Sequence, residues 1–78
     1  MLTGAQIRAA RAALRLSALE LAELAGVALK TINRFETADG VPPSRSSTLL
    51  DVRRALEAAG VEFIGTPEHN PGIRLRTG

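Results

Sequence analysis

Cysteine, tryptophan and tyrosine are absent from this 78-residue chain, and phenylalanine occurs only at Phe35 and Phe63. Without cysteine there is neither a disulfide framework nor a thiolate metal site. With two aromatic side chains, the core has to be built from Ala, Leu, Ile and Val, in a sequence that is 45% hydrophobic. No apolar run approaches the roughly 20 residues that cross a bilayer. The opening segment MLTGAQIRAARAAL lacks the hydrophobic stretch of a signal peptide. These absences predict a cytoplasmic protein with no membrane role.

Chemistry-bearing residues are equally sparse. His69 is the single histidine and falls in a polar stretch. Glu20, Glu23, Asp51 and Glu57 are expected on helix surfaces, with no paired acid and base among them. A small enzyme such as a nuclease would need a metal-ligand cluster or an activated base, and neither pattern is present. No catalytic residue, metal or cofactor is expected.

The formal charge is only +2, and the high isoelectric point partly reflects the missing tyrosine and cysteine. The type of basic residue says more than the balance. Nine of the ten are arginine, the side chain suited to bidentate contact with phosphate and guanine.

At 78 residues the chain holds one small domain, near the lower limit for an apolar core alone. Thr3 with Gln6, and Ser17 with Glu20, are capping-box pairs that predict two helix starts. The first helix places Ile7, Ala10, Arg11 and Leu14 on one face and fades near Arg15. The second turns Ala18, Leu21, Ala22 and Ala25 inward and stops at Gly26. A third helix is expected from about Ala28 to Thr37, with Ala28, Ile32 and Phe35 inward. Lys30, Asn33, Arg34 and Thr37 then share its outer side. After a turn-rich loop, Ser44 or Ser46 starts a fourth helix carrying Leu49, Val52, Leu56 and Ala59 inward, with Arg53 and Arg54 on a solvated face that DNA or a subunit partner could use. Beyond Gly60 the period changes to that of strands. Val61–Ile64 and Ile73–Arg76 predict a terminal hairpin joined by a loop holding Pro67, Asn70, Pro71 and Gly72.

The second and third helices resemble the helix-turn-helix of the Xre-type family, in the lambda-type phage repressor and Cro superfamily. Its pattern LSQxxLAxxxGVSxxTIxRxE is matched by Leu16, Ser17, Leu21, Ala22, Gly26, Val27, Thr31, Ile32, Arg34 and Glu36. The likeness extends from about Ala5 to Gly60. Two positions depart from the pattern: Ala18 stands where the family often has a DNA-contacting Gln, and Ala28 where Ser is common. Specificity should therefore rest more on Lys30, Asn33 and Arg34.

The resemblance implies a mainly α, four-helix lambda-repressor-like DNA-binding domain over residues 1–60. Residues 61–78 form a hairpin extension where the superfamily usually has a fifth helix. It also implies a transcriptional regulator, nucleoid-associated, that binds a roughly palindromic operator in double-stranded DNA as a homodimer. Base reading falls to Leu29, Lys30, Asn33 and Arg34 at the recognition helix. Phosphate contacts are expected from Ser17, Thr31, Thr37, Arg45, Ser46 and Ser47, the serines lying at helix starts that favour anions. Arg11 and Glu36 are expected to form a structural salt bridge. An isolated hairpin is marginal in water, so Val61, Phe63, Ile73 and Leu75 must cover the helices or pair with a second chain. Pairing across a two-fold axis is the expectation, with Arg74 and Arg76 outward. The alternative is an antitoxin, or another module that holds a protein partner on the hairpin edge.

Overall fold

The computed structural model describes residues 2–38, 40–42 and 46–76. In chain order it consists of α1 (Gly4–Ala13), α2 (Ala18–Ala25), α3 (Leu29–Glu36), α4 (Ser46–Ala58), β1 (Val61–Thr66) and β2 (His69–Leu75). The fold is mainly helical, closed at its C-terminal end by a two-stranded antiparallel hairpin.

Both capping boxes form. The Thr3 hydroxyl accepts from the Gln6 amide at 3.1 Å, while the Gln6 side chain accepts from Thr3 N at 2.9 Å. Ser17 and Glu20 make the same exchange at 3.0 and 2.8 Å. Each pair satisfies N–H groups that the first helical turn leaves without partners. Gly26 ends α2 in the left-handed region at φ 70°, ψ 33°. Val27 N then donates back to Ala22 O at 3.0 Å, and the Val27 side chain packs on the core. This closed turn sets α3 at a defined angle to α2.

The core joins all four helices to the hairpin through Leu2, Ile7, Ala10, Leu21, Ala22, Ile32, Phe35, Leu49, Val52, Leu56 and Val61. Gly4 lets α1 approach the end of α3. A Cβ there would stand 2.0 Å from Ala38 O and 2.3 Å from Phe35 O, so no side chain fits.

Two residues expected to face inward are exposed. Ala28 is exposed and serves as the N-cap of α3, with Thr37 as its C-cap, so the helix is shorter by one residue at each end. Ala28 has extended backbone (φ -72°, ψ 147°), which takes it off the helical face that Ile32 and Phe35 share. Ala59 is also exposed, because α4 ends at Ala58 before the next inward position.

The hairpin loop is far shorter than expected. Only Pro67 and Glu68 separate the strands, and Asn70, Pro71 and Gly72 belong to β2. The register runs Val61 to Leu75, Phe63 to Ile73 and Ile64 to Gly72, then shifts before Thr66 meets His69. That shift is a bulge in which Asn70 takes a positive φ of 51°. A bulge accommodates Pro71, which has no N–H to give to a ladder.

The hairpin covers its own helices. Val61 is fully buried, Phe63 and Ile73 pack against the core, and Leu75 stays 45% exposed. The Gln6 amide reaches it as well, donating to Gly72 O at 2.9 Å and Ile64 O at 3.3 Å.

Candidate nucleic-acid interface

The sharp division of α3 follows from its sequence LKTINRFE. Ile32 and Phe35 have no exposure and Glu36 is 9% exposed, while Lys30, Asn33, Arg34 and Thr37 face solvent. Leu29 is 39% exposed at the first turn, and Thr31 is half-buried at the edge. The four residues expected to read bases therefore share one accessible surface. The side chains of Lys30 and Asn33 have no hydrogen-bond or ionic partner among the described residues. The Arg34 guanidinium lies 5.7 Å from the Phe35 ring centroid, an arrangement that leaves its N–H donors open.

The inner side of α3 is held by charge as well as by packing. Arg11 donates to both Glu36 carboxylate oxygens, from Nε at 2.8 Å and from Nη2 at 2.9 Å. Its Nη1 also donates to Leu16 O at 3.1 Å, tying in the connection between α1 and α2. The hydrogen bonds to Glu36 raise the Arg11 pKa above its ordinary value; burial opposes this, and the opposite charge adds to it. A bidentate pair of this kind fixes direction as well as distance.

Sequence reasoning missed a second clamp. Arg8, one turn before Arg11 on α1, donates to the Glu36 backbone carbonyl. The i, i+3 spacing of the two arginines puts them on one helix face and is the signal that was available.

The expected phosphate contacts are spread more widely. Ser17 caps α2, its hydroxyl oxygen accepting from Glu20 N at 3.0 Å. The Glu20 carboxylate lies at the same helix start, its pKa lowered by hydrogen bonds from the Ser17 backbone and then the Ser17 hydroxyl. That negative charge counteracts the attraction of the helix end for phosphate. Thr37 donates its hydroxyl to Arg34 O at 2.8 Å, capping α3. Ser46 opens α4 and Ser47 is exposed in its first turn. Arg45 and Ser44 lie outside the described residues.

Three arginines away from α3 are engaged within the fold. Arg53 pairs with Glu57 at 3.2 Å and stands 5.8 Å from the Phe63 ring centroid. Arg74 pairs with Glu62 across the hairpin at 3.0 Å, and Arg76 donates to Glu57 O at 2.8 Å. Among the described residues no group of three or more His, Asp or Glu side chains is placed to hold a metal ion. No helix among them is long and apolar enough to cross a membrane.

A helix ended by a left-handed glycine, a short turn, and a second helix with a buried back and an open basic front form a helix-turn-helix. No curated protein matches the chain. The family described as a helix-turn-helix domain matches residues 3–63, which takes in all four helices and the start of β1, and the chain belongs to that family.

Proposed function

We propose that this chain is a sequence-specific DNA-binding transcriptional regulator of the Xre, lambda-repressor-like type, acting as a homodimer on a roughly palindromic operator. The observation that carries the reading is the outer face of α3: Lys30, Asn33 and Arg34 open to solvent, on a helix whose back is locked by Phe35 and the Arg11–Glu36 pair. In the major groove, Lys30 and Arg34 favour guanine, whose O6 and N7 are adjacent acceptors, and Leu29 meets a thymine methyl. Asn33 serves a base or a phosphate. Two such helices in a dimer enter successive major grooves about 34–36 Å apart. The reading is of a binding protein at the nucleoid, without catalysis and without a cofactor.

Selection from a random duplex library at near-physiological salt tests it. A two-fold symmetric motif is expected, and its half-site spacing follows directly. Weak, salt-sensitive binding without a motif would move the reading to the alternative, an antitoxin or partner-binding module. One feature favours that alternative: Leu19 and Leu24 are 54% and 59% exposed on α2, and Leu24 lines a shallow groove with Leu16, Glu20 and Glu23.

A further inference from the structure

The hairpin is a poor place for a second copy of this chain to dock. Its apolar face is already used on its own helices, and its β2 edge is interrupted by Pro71 and a bulge, features that discourage strand pairing. The outer face of α4 has the opposite character. Ser47, Leu50, Asp51, Arg54 and Ala58 are all exposed, and Leu50 retains 38% of its surface. Neither Asp51 nor Arg54 has a partner among the described residues. On a helical wheel these five positions fall on one side, opposite Leu49, Val52 and Leu56.

Ser47, Asp51, Arg54 and Ala58 follow one another at steps of four, three and four, the spacing of a helix-packing seam. Read in reverse, the same stripe is Ala58, Arg54, Asp51, Ser47. Two copies laid antiparallel therefore put small residues against small residues at both ends. In the middle, each Asp51 faces the other copy's Arg54. A two-fold interface must be complementary to itself, and this stripe is.

We infer that α4 is the dimer contact, two copies packing antiparallel about a two-fold axis between Val52 and Arg53, with Asp51 and Arg54 forming two reciprocal ion pairs. The inference deepens the homodimer reading above and rests on it. It also explains why Leu50 is left uncovered, since it flanks the seam. A pair of 13-residue helices buries less than the roughly 1,200 Å² of a standard interface, so the dimer is weak in free solution. Adjacent half-sites on one duplex raise the effective concentration and complete it.

Sedimentation of the full chain without DNA tests the contact, from about 10 μM to about 1 mM, the range in which small interfaces associate. Wild type is expected to dimerise within that range. Asp51→Arg and Arg54→Asp are each expected to weaken association by about tenfold, through like charges brought face to face. The double variant Asp51→Arg/Arg54→Asp restores it. A second assay leaves the charges alone and uses the absence of native cysteine. Ser47→Cys mixed with Ala58→Cys should give disulfide-linked heterodimers under mild oxidation. Either variant alone should not, because its two thiols then sit about 16 Å apart, the rise over eleven helical residues.

A monomer throughout the range, single reversals without effect, a folded double variant that fails to recover, or cross-links that ignore the pairing would each overturn the inference. Both assays exclude DNA. Their failure leaves the DNA-binding reading standing, and failure of the library selection leaves theirs intact.

Discussion

Helix α3 and the terminal hairpin both carry basic residues opposite a buried face, but they employ them differently. On α3, Lys30 and Arg34 carry no ion pair among the described residues, because Phe35, Ile32 and the Arg11–Glu36 pair already hold the helix. On the hairpin, Arg74 and Arg76 are engaged with Glu62 and the end of α4. A surface charge without a structural task is available to a ligand, and one with such a task is less so. The difference teaches that the position of a cation matters less than whether the fold already uses it.

The largest break in that comparison comes from behind α3. Arg11→Ala leaves Glu36, whose side chain is 10% exposed, without its partner. The usual cost of breaking a buried pair is about 3–5 kcal/mol, reduced here to about 2–3 kcal/mol because Arg11 itself is partly exposed. Melting temperature should fall while base preference among bound duplexes is unchanged, and an unaltered melting temperature would refute the structural role.

Lys30→Ala and Arg34→Ala act on the other side of the same helix. Each should fold with stability within about 0.5 kcal/mol of wild type and lose about 1–3 kcal/mol of base discrimination. If Lys30 touches only phosphate, its loss weakens all duplexes alike and flattens the salt dependence, which binding titrations at several salt concentrations separate.

Gln6→Ala sharpens the hairpin side. It removes donors to Gly72 O and Ile64 O and the acceptor for Thr3 N, costing about 1–2 kcal/mol. Amide exchange should accelerate most in β1 and β2, while α3 keeps its protection.

Smallest is the acid response of α2. The folded-state pKa of Glu20 lies below its ordinary value, so its contribution is complete above the usual carboxylate range and is lost as pH falls through the lowered value. Replacing it as Glu20→Gln should remove that part of the acid dependence of melting temperature. A pH profile parallel to wild type would show that the capping carboxylate has no such effect.

Thr3, Gln6, Ser17, Glu20 and Gly26 were legible as helix boundaries because capping is settled within three or four residues of chain. The exposed side of α3 was legible for a similar reason, as helical periodicity alone puts Lys30, Asn33 and Arg34 together. The misplaced residues, Ala28 and Ala59, stand at helix ends, where periodicity stops applying. The hairpin loop was misread because Asn70, Pro71 and Gly72 are turn-forming residues, yet a bulge absorbs them into β2. Nothing local announces that.

By itself, the sequence determined the four helices, their polar and apolar faces, and the turn at Gly26, since each depends on neighbours a few residues away. Tertiary structure alone decided that Gln6 serves the hairpin as well as its own cap, across 58 and 66 residues of chain. It also decided that Arg8 joins Arg11 at the end of α3, and that the hairpin's apolar face is satisfied at home. Those outcomes depend on which surfaces meet once the helices pack, and periodicity within one element carries no information about its neighbour.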